Sequence, residues 1–261
     1  MVWLDSPPAP ADMGRHYGSY YDEIITGAGE NDTKRWLQRR ETLRRYKQSG
    51  ALLDLGCSSG SFLSSLKGDP WELHGIEMSS GPARKAEARS GAKVFVGDIL
   101  EAPFAAQSFD AVTCFDVFEH LYRPHEVLQM VRYWLKPGGI FYALMPNIYS
   151  AEARVFGSYW YGLELPRHLS HFSPKSLRHL AARCGFRDVF ITTSRGRLVE
   201  YSTRYLFDDL CHTAGVHRPP LAETKAPSLA WKIARKAYRL SMLPVICALI
   251  SLAGKGEIVQ M

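Results

Sequence analysis

Apolar and polar residues change their spacing several times along the chain. Between Asp32 and Tyr46, the residues Trp36, Leu37, Leu43 and Tyr46 recur among many charges, which predicts a helix. The texture then switches. Ala51-Leu52-Leu53-Asp54-Leu55 is a short apolar run closed by Gly56-Cys57-Ser58-Ser59-Gly60, the pattern of a buried strand feeding a turn. A helical segment follows over Ser61–Lys67, then a strand over Trp71–Glu77, and a helix capped by Ser79 or Ser80 running through Arg89. Further strands are predicted at Lys93–Val96, Phe109–Phe115 and Ile140–Met145. A helix over Pro124–Leu135 precedes the Lys136-Pro137-Gly138-Gly139 turn. Strands alternating with helices predict an α/β fold, a doubly wound and mostly parallel sheet covered on both faces.

The alternation pauses after Asn147. Tyr149–Phe172 is rich in aromatics and histidines without a period, so residues 147–172 are expected to form a lid. Ser173-Pro174 opens a helix through Cys184, stopped by Gly185, and Phe186–Thr193 is a sixth strand. Arg197–Leu252 is mainly helical, and Glu257–Gln260 is a short final strand. The organisation expected is an N-terminal helical arm (1–50), a core (51–196) and a C-terminal helical insertion or extension (197–261).

Composition sharpens this. Apolar residues make up 46% of the 261 and charged residues 22%, which excludes a disordered chain. The net charge of +6 is unevenly placed. From Arg218 onward there are seven basic and two acidic residues, leaving 25 basic and 24 acidic in the first 217. A nearly neutral body disfavours nucleic acid as a partner. In the tail, Lys232, Arg235, Lys236 and Arg239 share one helical face and Leu229, Ile233, Ala237 and Leu240 much of another. Residues 228–252 are therefore expected either to touch an anionic membrane surface or to cap the fold. The apolar stretch Leu243–Ala253, with Pro244 inside it, is too short to span a bilayer, where roughly 20 residues are needed. No secretory leader is visible, and the five scattered cysteines show no metal or disulfide spacing, so a cytoplasmic location is expected.

The candidate chemistry begins at the glycine turn. Gly56 and Gly60 let the backbone turn sharply and approach a ligand. Their spacing is neither the nicotinamide fingerprint nor a phosphate-binding lysine loop. Glu77 ends the next strand 21 residues past Gly56, near the roughly 20 expected of an acid that grips ribose hydroxyls. Gly97-Asp98-Ile99 follows the third strand, where an Asp can accept from an exocyclic amine and Ile99 can pack on a purine.

In this order and spacing, Leu52–Leu63, Gly75-Ile76-Glu77, Gly97-Asp98, Phe109–Val112, Phe115–Leu121 and Leu135–Gly139 resemble the class I S-adenosylmethionine-dependent methyltransferases, with a Rossmann-like sheet. Pro166–Pro174, followed by a helix and Gly185-Phe186, is similar to the bacterial subgroup related to the quinone O-methyltransferases. The resemblance implies S-adenosylmethionine as cofactor. It places Gly56, Ser58 and Gly60 along the methionine portion, Asp54 near its ammonium, Glu77 on the ribose, and Met78, Asp98 and Ile99 at the adenine. Phe115 and Asp116 are expected to face the methionine side and the reacting sulfur.

The expected reaction is methyl transfer to a small-molecule acceptor, at a hydroxyl oxygen of a sugar, a lipid-linked envelope precursor or a quinone-like molecule. An amino-sugar N-methyltransferase and a non-catalytic cofactor-binding module are the alternatives. A hydroxyl acceptor calls for a base, and His168 and His171 in the lid are the candidates. Tyr17, Tyr20 and Tyr21 of the arm either fold over the methyl group or simply pack. Asp116, Glu119 and His120 are expected to share a face at a helix start, where acidic capping is favoured over a divalent cation.

Overall fold

The computed structural model describes residues 1–17, 30–194, 198–213, 236 and 258–260. Among the described residues the strands are β1 (Val2–Trp3), β2 (Gly50–Leu55), β3 (Trp71–Glu77), β4 (Lys93–Val96), β5 (Phe109–Phe115), β6 (Leu135–Pro146), β7 (Ser170–His171), β8 (Thr192–Ser194) and β9 (Ile258–Gln260). Seven form one sheet in the order β4-β3-β2-β5-β6-β9-β8. The first five are parallel, and β9 runs antiparallel to both β6 and β8. From β2 the chain winds outward through β3 and β4, then restarts on the other side with β5 and β6. The crevice beyond the ends of β2 and β5 is thus the switch point at which such sheets bind ligands.

Side chains alternate across the strands and divide the core in two. Leu53, Leu55, Val112, Cys114, Ala143 and Met145 face one layer, packed by Val127, Leu128, Val131 and Trp134 of the helix Pro124–Trp134 and by Leu177 and Leu180 of the helix Pro174–Arg183. Leu52, Ala111, Phe115, Tyr142 and Leu144 face the other, against Leu43 of the helix Glu30–Arg44, Phe62 and Leu63 of the helix Ser61–Ser65, and Ala86 of the helix Ser80–Ser90. Each fully buried Leu, Val or Phe contributes roughly 1.5–3 kcal/mol of apolar burial. Asp54 and Thr113 fall on the second face by the same alternation, which buries a carboxyl beneath the switch point.

The elements differ from the sequence reading in places. The strand β6 begins at Leu135, because Phe109 pairs with Leu135 and Ala111 with Ile140, so Lys136–Gly139 bulges out between two paired stretches. The Asp110 carboxylate anchors that bulge, accepting from Lys136 Nζ at 2.7 Å and from Ala51 N at 2.9 Å. The sixth strand is only Thr192–Ser194, since a turn with Asp188 at φ +53° interrupts the run from Phe186. Residues 147–172 hold a helix, Ala151–Phe156, capped by Ser150, and two 3-10 turns. In the arm, Leu37 and Tyr46 are exposed, while Trp36 and Leu43 carry the contact with the core. The predicted last strand is present as β9, and the helix Leu198–Thr213 begins the C-terminal insertion. Apart from Lys236, the basic region 228–252 lies outside the described residues, as do Tyr20 and Tyr21. Among the described residues, no helix is long and apolar enough to cross a membrane.

Candidate functional site

The turn after β2 requires left-handed backbone. Gly56 has φ +65°, Ser58 +49° and Gly60 +73°. A Cβ on Gly56 would stand 2.5 Å from Val117 Cγ2, and one on Gly60 would stand 2.7 Å from the Ala86 backbone. Both glycines are therefore fixed by close approach as well as by conformation. Glu77, almost fully buried at the end of β3, ties the turn down. Its Oε2 accepts from Ser58 N at 3.0 Å and its Oε1 from Ser79 N at 2.9 Å. Burial pushes this carboxyl above the ordinary carboxylate range against the pull of those N–H groups. Ser79 starts the next helix without a side-chain cap of its own, so Glu77 serves that helix end as well. Met78 is 65% exposed and does not pack into the core. Asp98 caps the 3-10 turn Ile99–Glu101 by accepting from Leu100 N at 2.8 Å, and Ile99 is buried in the core.

Beneath the turn, Asp54 accepts a 2.7 Å hydrogen bond from Thr113 Oγ1, and burial lifts its pKa to about 7. Phe115 does not face an open cleft. Its ring packs edge-on to Phe62 and Tyr142 and lies 4.5 Å from the Arg39 guanidinium carbon, which also stacks on Trp36 at 4.6 Å. Arg39 is the residue that the sequence reading missed. It is 6% exposed, its Nη2 donates to Asp116 Oδ2 at 3.0 Å, and its Nη1 has no partner. A signal for it exists. Arg39 lies between Trp36 and Leu43 on the spacing i, i+3, i+7 of the buried stripe, so this one charge of a charged helix points inward. Asp116, at φ +56° just past β5, is thereby directed to Arg39. Desolvation would raise its carboxyl, but Arg39 and Arg35 outweigh it and hold the carboxyl below the ordinary range.

Asp116 thus bonds to Arg39 and does not share with Glu119 and His120 the helix face that was expected. No helix starts there. Phe118–His120 is a single 3-10 turn, and the helix begins at Pro124. Glu119 and His120 instead meet His168, with ligand-type atoms of all three within 4.8 Å of one another. His168 is almost fully buried. Its Nδ1 lies 2.8 Å from the Gly162 carbonyl and its Nε2 lies 2.8 Å from Glu164 Oε2 and 3.9 Å from Glu119 Oε1. Carbonyls and carboxylates only accept, so both nitrogens carry hydrogen and the ring is an imidazolium. Burial works against that charge, but the Glu164 hydrogen bond and the charges of Glu119 and Glu164 raise its pKa. This corrects the expectation for His168. With no lone pair to offer, it supplies the cluster's positive charge rather than taking a proton. Burial pushes Glu119 up to about 8, and its Oε2 has no partner.

His171 keeps a lone pair. It is 5% exposed, its Nδ1 has no partner, and burial followed by the His168 charge pushes its pKa down to about 4. It lies on β7, where β1 pairs across it with Val2 opposite His171. The N-terminal segment is tied over this region at three more points: Leu4 N to the Leu169 carbonyl at 2.9 Å, Tyr122 Oη to the Pro8 carbonyl at 2.7 Å, and Tyr17 Oη 3.2 Å from His120 Nδ1.

The residues present fit the expected cofactor. The unpartnered buried Nη1 of Arg39 suits a carboxylate, Asp54 an ammonium, Glu77 a pair of hydroxyls and the exposed Met78 a flat base. A family model described as a methyltransferase domain matches residues 28–190. The ubiquinone biosynthesis O-methyltransferase of Paraburkholderia phytofirmans is 30% identical over 124 residues, covering 44% of this chain and 53% of that protein. The chain thus spans about half the length of the curated relatives it matches. Among solved structures, a SAM-dependent methyltransferase from Archaeoglobus fulgidus superposes with TM-score 0.59 at 18% identity, covering 94% of this chain and 97% of that one. Haemonchus contortus phosphoethanolamine N-methyltransferase 2, in complex with S-adenosyl-L-methionine, superposes with TM-score 0.57 at 19% identity, covering 94% and 56%. These structures share the fold; the match to the family model shows that the chain belongs to the S-adenosylmethionine-dependent methyltransferases.

Proposed function

We propose that the chain transfers a methyl group to a hydroxyl oxygen of a small molecule, which is a sugar, a lipid-linked envelope precursor or a quinone-like ring. One observation carries this reading. A cluster of ionisable side chains, the buried Glu119 and His168 with the partly buried His120 and Glu164, adjoins the strand ends that bear the cofactor residues. Proton handling of that kind is needed for a hydroxyl, whose proton must leave as the oxygen is methylated. The partial similarity to ubiquinone biosynthesis O-methyltransferases supports oxygen as the acceptor atom.

When bound, the cofactor supplies a methyl group already activated on a sulfonium. The chain's own residues then bind and orient. Gly56, Ser58 and Gly60 bring backbone close to the methionine portion. Arg39 Nη1 takes its carboxylate and Asp54 its ammonium, and Asp116 holds Arg39 in place. Glu77 takes the ribose hydroxyls, and Met78, Asp98 and Ile99 frame the adenine. The lid over 147–172 and the β1 strap keep water from the acceptor, which makes alignment rather than activation the main task. A lipid-linked acceptor would give the basic, apolar region 228–252 a role at an anionic surface.

The test is direct. Calorimetry is expected to show S-adenosylmethionine binding. Incubation with a panel of sugars, polyprenyl-linked precursors and catechols, read by mass spectrometry, is expected to show one added methyl group on oxygen. Binding without transfer to any member would favour a non-catalytic module. Transfer only to amines would move the reading to nitrogen. Flotation with anionic vesicles tests the surface role of 228–252, and absence of binding at low salt would remove it.

A further inference from the structure

His168 and His171 are the histidines to which the lid sequence points, yet the imidazole best set to take a proton is His120. Its Nδ1 lies 3.0 Å from the carbonyl oxygen of Arg167. A carbonyl only accepts, so Nδ1 carries the hydrogen and the lone pair of the neutral ring is on Nε2. The Tyr17 hydroxyl lies 3.2 Å from the same Nδ1, where its oxygen shares that N–H. The carbonyl therefore selects the tautomer, and the two contacts together fix one ring orientation. Among the described residues nothing is hydrogen-bonded to Nε2. Burial, then the His168 cation, keeps the ring neutral.

Place matters as much as protonation state. His120 closes the 3-10 turn that follows the C-terminal end of β5, at the switch point and four residues from Asp116. Its ring is half-buried, whereas His168 and His171 are nearly sealed. His168 stands edge-on to it at 4.6 Å, with both nitrogens already donating. His171 is farther along, 6.2 Å from His168 and beneath the β1 strap.

We infer that His120 Nε2 is the atom that accepts the acceptor's hydroxyl proton, with Tyr17 and the Arg167 carbonyl as the groups that position the ring. The inference rests on the O-methyl-transfer reading and adds the proton's destination. In the step, the acceptor O–H bond breaks and its proton goes to Nε2. The oxygen forms its bond to the methyl carbon as that carbon's bond to sulfur breaks, and the electron pair of the broken bond stays on sulfur. The imidazolium so formed keeps its Nδ1–H on Arg167 and lies near the Asp116 and Glu164 carboxylates, then returns its proton to solvent as products leave.

Nitrogen-15 NMR of histidine-labelled protein at neutral pH reads the tautomer without turnover, and it is expected to show His120 with Nδ1 protonated and Nε2 bare. His120→Asn keeps an N–H near the Nδ1 position and removes the base. With catechol as probe acceptor, kcat is expected to fall about 10²–10⁴-fold while KM for catechol and Kd for S-adenosylmethionine stay within about threefold. Tyr17→Phe is expected to lower kcat by less than about tenfold, because it loosens the ring without removing the base. A wild-type Nε2–H tautomer, an Asn variant with undiminished kcat, or a loss confined to His171→Asn overturns the inference. Wild-type protein that methylates amines and no hydroxyl counts against the O-transfer reading itself, and the NMR tautomer still decides the state of His120 separately.

Discussion

Glu77 and Glu119 are both glutamates with almost no exposed surface, and they are held in opposite ways. Each oxygen of Glu77 accepts a backbone N–H, from Ser58 or from Ser79. The Oε2 of Glu119 has no partner, and burial pushes its carboxyl up to about 8. The contrast extends to the halves of the site they occupy. The cofactor half is built from backbone, with left-handed turns and successive strand ends spaced regularly along the sequence. The acceptor half is built from side chains gathered from Tyr17, Glu119–His120, Glu164 and the stretch 167–171, and it balances charge internally through the His168 imidazolium. A backbone-built site is rigid before any ligand arrives. A side-chain cluster keeps its geometry only while the lid and the β1 strap stay docked.

The largest expected effect is a break of the rigid half. Gly60→Ala places a Cβ against the Ala86 backbone at a positive φ, so neither rotamer change nor a side-chain shift relieves it. Strain and overpacking together are expected to cost about 2–4 kcal/mol of stability. Urea denaturation measures the loss, and calorimetry is expected to show no cofactor binding. A variant with wild-type stability would show that the turn is not the rigid element described.

Arg39 sharpens the comparison because it is a side chain serving the backbone-built half. Arg39→Leu fills the slot between Trp36 and Phe115, leaves Asp116 unpaired and removes the group proposed for the cofactor carboxylate. Kd for S-adenosylmethionine is expected to rise about 10–100-fold, the value of one buried charge-assisted contact. An unchanged Kd would leave Arg39 as the partner of Asp116 alone.

The same division explains what the sequence made legible. Asp54, the Gly56–Gly60 turn and Glu77 are visible because backbone geometry leaves local marks: glycine where φ is positive, an acid at a fixed distance down the chain. Even β9 was legible, from a short apolar run near the C-terminus. The acceptor half leaves no such marks. Nothing in Glu164 or in Tyr17 indicates a partner many residues away, and Asp116 reads as a neighbour of Glu119 until its left-handed backbone turns it to Arg39. His168 shows the limit most clearly. Its identity suggested a base, and only the two acceptors on its ring reveal a cation.

The smallest effect expected separates the halves by pH. Asp54, raised from 3.8 to about 7, and Glu119, raised from 4.5 to about 8, hold protons in the folded chain that the unfolded chain releases. Each therefore stabilises fully below its unfolded value and loses that stabilisation as pH rises to its folded one; Glu77 and His168, also raised, act in the same direction. His120 and His171, lowered from 6.5 to about 4, act oppositely, losing stabilisation as pH falls between those values. Below pH 6.5 the two sets oppose each other, and above it the raised groups act alone. Between about pH 7 and 8 Asp54, already half-ionised, loses the last part of its contribution while Glu119 titrates, so stability is expected to fall by on the order of 1 kcal/mol across that window, most of it from Glu119. Urea denaturation at several pH values checks it. Glu119→Gln is expected to remove most of the fall and Asp54→Asn only a minor part of it. A flat wild-type profile there would mean that Glu119 is ionised, and that the acceptor half is balanced by some charge other than the His168 imidazolium.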